Sequence, residues 1–200
     1  MAKSSRAESD RHRRQIIDAA SRLLREHGQA AISVQKIMSE VGLTHGGFYK
    51  HFSSKDELMD LAAERSFSEL LEVMKSASEA SSAPSDAWTG FIESYLSAEQ
   101  REDLGGGCAS TALATDSTRA GAGSGMRDAY VHGVSETLDA LKQYQDHPDD
   151  PAAYRARLQA LITMVGALTL ARGTAGTPLA EDFADAAMTL LLEGDRRPAP

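Results

Sequence analysis

Apolar residues recur along the chain at helical spacing, and the alternation that marks a half-buried strand is absent. Ile16, Ala20, Leu23 and Leu24 place one apolar stripe on a first helix, starting near Asp10 and terminated by Gly28. Val34, Ile37, Met38 and Val41 repeat the i, i+3, i+4, i+7 pattern on a short second helix. Ser33 is its expected N-cap, and Gly42 ends it. Thr44 is positioned to cap a third helix, with Leu43 and Phe48 as a hydrophobic staple. Ser54-Lys55-Asp56-Glu57 has the form of a capping box and opens a long fourth helix through Leu58, Leu61, Phe67, Leu70, Leu71 and Met74.

Beyond a Ser/Ala-rich loop at 76–85 the elements are less sharply bounded. Trp88, Phe91, Ile92, Tyr95 and Leu96 fit a fifth helix. Gly105-Gly106-Gly107 precedes a short sixth at about 108–116. Met126, Tyr130, Val134, Leu138 and Leu141 fit a seventh, and the loop His147–Pro151 follows it. Tyr154 to Arg172 and Leu179 to Glu193 read as the eighth and ninth, with a frayed tail from Gly194. The expected fold is all-α, about nine helices, with an N-terminal three-helix domain over 1–54 and a C-terminal helical domain over 55–200.

Charge sharpens this division. The net charge is −8, yet residues 1–55 carry +5 and the remaining 145 carry −13. One basic end on an acidic body is the asymmetry expected when only that end meets phosphate; a solvated basic arm is the alternative. The longest uncharged apolar run, Ala160–Ala171, is too short to span a bilayer, and no signal peptide is evident, so a cytoplasmic protein is expected. One cysteine, Cys108, leaves no intrachain disulfide and no Cys-based zinc finger.

The second and third helices, joined by Val41-Gly42-Leu43, form a helix-turn-helix. The third offers Thr44, His45, Gly46, Gly47, Tyr49, Lys50 and His51 outward, and no acidic residue occurs from Val41 through Ser54. Gly46 and Gly47 each cost about 1 kcal/mol relative to Ala in a helix. They make sense where backbone must approach a base edge or phosphate closely; relief of crowding against the second helix is the alternative.

Ser33-Val-Gln-Lys-Ile-Met-Ser-Glu-Val-Gly-Leu-Thr-His-Gly-Gly-Phe-Tyr-Lys-His-Phe-Ser-Ser-Lys-Asp-Glu-Leu58 resembles the DNA-binding domain of the TetR family of transcriptional regulators, over about residues 10–60. The glycine turn, the Phe48-Tyr49 and Phe52 aromatics and the Ser-Lys-Asp-Glu-Leu start of the fourth helix carry the likeness. It implies phosphate contacts at Ser33 and Gln35. Thr44, His45, Gly46 and Gly47 would face bases or backbone, and Tyr49, Lys50 and His51 would meet phosphates or base edges. Lys55 would clamp a phosphate beside a helix N-terminus. Phe48 and Phe52 would hold the recognition helix from within. Arg6 to Arg14 would add DNA contacts or remain a mobile arm.

The resemblance also implies a C-terminal ligand-binding and dimerisation domain. The expected function is that of a ligand-responsive regulator, a repressor binding a near-palindromic operator as a homodimer and released by a small molecule or a thiol-reactive signal. Trp88, Phe91, Tyr95, Tyr130 and Met164 are candidates for an apolar pocket, though such residues are more often plain core. Cys108, opening a helix, is a candidate sensor or a small buried hydrophobe. Ile162, Val165, Gly166 and Leu190 are candidates for the dimer interface, since the eighth helix is apolar nearly all round; a core helix of a monomer is the alternative.

An enzyme is the main rival class. The six histidines form no H-E-x-x-H, and G-x-S-x-G and P-loop patterns are missing, so no cofactor and no metal are expected. A Cys108–His132 couple is the one catalytic arrangement left open. A helical adaptor is the second rival, but it would not need Gly46-Gly47 in an acid-free stretch.

Overall fold

The structure, a computed structural model, describes residues 6–193. The expected fraying beyond Gly194 lies outside them. The described residues form nine α-helices with no strand among them: α1 (Arg6–His27), α2 (Val34–Glu40), α3 (Lys55–Glu79), α4 (Pro84–Tyr95), α5 (Ala98–Glu102), α6 (Ala109–Ala120), α7 (Gly125–Ala140), α8 (Pro151–Gly173) and α9 (Pro178–Glu193). Three 3-10 segments, Gln29–Ala31, His45–Lys50 and Leu141–Tyr144, join them. Because α1 begins at Arg6, the basic stretch Arg6–Arg14 is helical and not a mobile arm.

The chain divides into two compact units, each discontinuous in sequence. The first comprises the residues up to Ser68 with Cys108–Gly133; the second comprises Glu69–Gly107 with the residues from Val134. Burial in the first follows the apolar stripes: Ile16, Ala20, Leu23 and Leu24 of α1, Ile37 and Met38 of α2, and Leu58, Met59, Ala62 and Phe67 of α3. The buried polar groups between α1 and α3 are paired, as burial demands. Ser21 Oγ and Ser66 Oγ share a hydrogen bond of 2.9 Å, and Arg25 Nη1 donates to Ser21 Oγ at 3.0 Å. α7 approaches α3 so closely that a Cβ on Gly133 would lie 2.1 Å from the Phe67 ring.

In the second unit α8 and α9 pack along each other through small buried residues, Ala167 and Ala171 on α8 and Ala180, Ala184 and Ala187 on α9. Asp150 caps α8 by accepting from Ala152 N–H at 2.8 Å, with Pro151 in the first turn. Arg172 gathers the carbonyls of Gln100 (2.8 Å) and Asp103 (3.0 Å) behind α5. Trp88, Phe91 and Tyr144 cluster, with Phe91 and Tyr144 stacked at 5.6 Å. In this single chain α8 leaves an apolar position open, Ile162 being 70% exposed. That exposure also disfavours the core helix of a monomer.

Candidate functional site

Ser33 caps α2, its Oγ accepting from Lys36 N–H at 3.1 Å. The helix ends in a Schellman motif: Leu43 N–H donates to Met38 C=O (2.8 Å) and Gly42 N–H to Ser39 C=O (3.1 Å). The motif needs a left-handed residue, and Gly42 supplies φ +70°. A regular third helix does not follow. His45–Lys50 is a 3-10 segment, and Thr44 stands at its N-cap without a side-chain cap bond. Two adjacent glycines with low helix propensity, in a run of six residues, account for the tighter and shorter form.

Phe48 and Phe52 are buried and 5.4 Å apart, holding this segment to the core as the resemblance implied. Thr44, His45, Gly46, Tyr49 and Lys50 are exposed, with Tyr49 at 68%. Neither Gly46 nor Gly47 has positive φ. A Cβ on Gly46 would meet nothing within 4 Å, and one on Gly47 would touch Met38 Cε at an ordinary 3.6 Å. Crowding against α2 therefore does not explain the pair.

α1 adds charge that the sequence marked only as a general basic stretch. Arg13 lies 4.9 Å over the Phe52 ring and 3.6 Å from Glu57, and the His12 ring lies 6.5 Å from that of His51. Burial, then the positive neighbours His12, Arg13 and Lys50, push the His51 pKa down. The proton on His51 is thus disfavoured at a surface already rich in cations.

The capping box at α3 is split between two serines. Ser54 Oγ accepts from Glu57 N–H at 3.1 Å, while Glu57 Oε2 returns to Ser53, accepting from its N–H (2.7 Å) and hydroxyl (2.6 Å). Those bonds and Arg13 lower the Glu57 pKa. Lys55 Nζ donates to the Gln29 carbonyl at 3.0 Å, and the Gln29 N–H donates to Asp116 Oδ2 on α6 at 2.9 Å. One residue just beyond α1 is thereby tied to both α3 and α6, and Lys55 keeps two N–H bonds to offer.

The second unit contains a cavity of about 500 Å³ lined by Trp88, Leu141, Tyr144, Gln145, Arg157, Leu190 and Leu191, among others. That volume suits a small organic ligand. Of the residues proposed for a pocket, Trp88 lines this cavity. Phe91, Tyr95 and Met164 are buried elsewhere in the same unit, and Tyr130 belongs to the other unit, its hydroxyl donating to Ser110 C=O at 3.0 Å. Cys108 precedes α6, makes no cap bond and is 1% exposed. Leu190 is 66% exposed, while Val165 and Gly166 are half-buried.

An all-α chain with a short helix, a glycine turn and a second helical segment has the helix-turn-helix arrangement that one class of nucleic-acid-binding proteins uses. Residues 16–69 match the model of the bacterial regulatory proteins of the tetR family. The uncharacterized HTH-type transcriptional regulator YerO of Bacillus subtilis (strain 168) is 39% identical over 64 residues, 32% of this chain and 22% of that protein. The HTH-type transcriptional regulator AcrR of Shigella flexneri is 33% identical over 76 residues, 38% of this chain and 32% of that protein. The matched stretch thus spans less than a third of each curated relative. A TetR transcriptional regulator from Chloroflexus aurantiacus J-10-FL shares the fold at a TM-score of 0.74 and 23% identity, covering 92% of this chain and 96% of that one. Residues 16–69 are thus similar to the tetR-family model and to the matched stretches of these HTH-type regulators, and the chain as a whole shares the fold of a solved TetR-type regulator.

Proposed function

We propose that this chain is a ligand-responsive transcriptional regulator, a repressor that binds a near-palindromic DNA operator as a homodimer and is released by a small molecule. One observation carries the DNA-reading role: an acid-free segment at 41–54, exposed at Thr44, His45, Gly46, Tyr49 and Lys50, contains a glycine pair that the fold itself does not require. Backbone free of side chains at Gly46 and Gly47 lets a groove edge come close. Thr44, His45, Tyr49, Lys50 and His51 supply donors around it, Ser33 and Gln35 meet the flanking phosphate, and Lys55 with Arg13 extends the cationic edge.

Dimerisation through α8 and α9 is supported by apolar residues left exposed there, Ile162 (70%) and Leu190 (66%), and by open space where Gly166 would carry a Cβ. The cavity supports a small molecule as the release signal, in place of the enclosed Cys108 thiol. The regulator would act in the cytoplasm, where its operator lies.

The test is binding of the purified protein to the DNA upstream of its own coding region across a salt series. Expected are a preferred palindrome and steep weakening with salt. Equal affinity for scrambled DNA at every salt concentration overturns the reading.

A further inference from the structure

Arg157 is 5% exposed and lines the cavity of the second unit. Burying a guanidinium demands a counter-charge, yet no carboxylate among the described residues stands within ion-pair distance of it. Asp139 feels its charge only as the least of the influences lowering that carboxyl, and Asp139 is exposed and paired with Lys142 at 2.6 Å. Arg157 Nη1 is occupied, donating to Gln145 Oε1 (2.6 Å) and Pro148 C=O (2.9 Å). Its Nε is buried without any partner, and no hydrogen bond forms from Nη2 among the described residues. Nε and Nη2 form the side-on edge of a guanidinium, the edge that takes a carboxylate in two parallel bonds.

The rest of the wall defines the ligand's body. Trp88, Leu141, Tyr144, Leu190 and Leu191 supply apolar surface. The polar tips of the two aromatics are already committed: Trp88 Nε1 donates to Leu191 C=O at 3.1 Å and Tyr144 Oη to Met74 C=O at 3.0 Å. Burial also drives the Tyr144 pKa up to about 12, so this phenol does not compete as an anion. A single lining cation neutralises a monoanion and would leave a phosphate dianion uncompensated.

We propose that the cavity binds an organic monocarboxylate with an apolar body, its carboxylate paired with the Nε–Nη2 edge of Arg157 and its body against Trp88 and Tyr144. This rests on the ligand-responsive reading above and assigns the chemical class of the ligand.

Trp88 is the only tryptophan in the chain, so its fluorescence reports on this site alone. The full chain is titrated with octanoate and 3-phenylpropanoate, with their neutral amides, and with octyl phosphate. The acids should shift Trp88 emission with affinity about tenfold or more above the amides, as expected for loss of a charged hydrogen-bonded pair. Octyl phosphate should bind more weakly than octanoate. Arg157→Met should abolish the preference for acid over amide while keeping amide binding. Ala160→Phe, which fills the cavity and retains Arg157, should lose both if its circular dichroism and melting match the parent. Equal affinity for acid and amide, an unchanged preference in Arg157→Met, tighter binding of octyl phosphate, or no emission change with either acid would overturn the assignment. Operator affinity measured with octanoate present separates the two readings. Acid binding without loss of DNA affinity leaves the site standing and removes the release mechanism. Normal operator binding with no acid selectivity removes the site and leaves the DNA reader.

Discussion

At residue scale the proposed DNA-reading site depends on what is missing from Gly46 and Gly47. The space around Gly46 is open and that around Gly47 is ordinary, and both backbones suit any residue. Gly46→Ala and Gly47→Ala should therefore leave stability unchanged or raise it by up to ~1 kcal/mol, through reduced unfolded-state entropy. The same changes should weaken operator binding severalfold. Denaturant melts and DNA titration on one preparation test both halves, and a loss of stability would return the glycines to a structural role. His51 offers a second test. Its folded pKa lies below the usual histidine value because burial and the cations His12, Arg13 and Lys50 disfavour the proton. The stability contribution of neutral His51 is present above the unfolded pKa and is lost as pH falls through the folded one. DNA supplies the missing anion, so binding should take up a proton. Operator affinity should rise from about pH 7.5 to about 5.5, and His51→Gln should flatten part of that rise. A pH profile identical in the variant assigns the effect to other groups.

At element scale the Schellman turn fixes how α2 hands over to the reading segment. Gly42 holds φ +70° there, so Gly42→Ala should cost about 1 kcal/mol in a chemical melt without any change in the side chains of His45–Lys50. Unchanged stability would mean the turn relaxes. Elements of this kind were legible in the sequence because their signals are local. The Ser33 cap, the Gly42 stop and the apolar stripe of α1 follow from residues a few positions apart. Failures came where tertiary context or shortness decides. The Thr44 cap position and the Leu43–Phe48 pair mark where a third helical segment starts but not its pitch, so the 3-10 form of His45–Lys50 is not legible from them. The short α5, Ala98–Glu102, carries no apolar stripe by which to find it. Glu57 turning back to Ser53 could not be told from a return to Ser54 by spacing alone. The Asp116–Gln29–Lys55 tie joins positions up to 87 residues apart, and no local pattern announces it. Arg157 sits in a helix with Arg155 and Arg172, and the sequence does not distinguish the buried guanidinium from the exposed one.

At the scale of the whole molecule, the proposed repressor stands on a dimer that no single chain can display. Ile162 is 70% exposed on α8 although its neighbours Val165 and Leu161 are half-buried. A large exposed aliphatic beside an open glycine, on a helix without charge from Ala160 to Ala171, is a surface that water tolerates poorly. Placing a charge there should be neutral for the fold, since the position is already solvated, and costly for association, where two copies of the same charge would be desolvated across a two-fold axis. Ile162→Asp should therefore run as a monomer in sedimentation experiments at concentrations where the parent is a dimer, with an unchanged circular dichroism spectrum. Its operator binding should weaken strongly, and the salt slope should fall to about half, because one reading head neutralises about half the phosphates that two do. A variant that stays dimeric moves the interface off this face of α8. A monomer with the full salt slope would mean that each head binds alone, and the requirement for a palindrome would go with it.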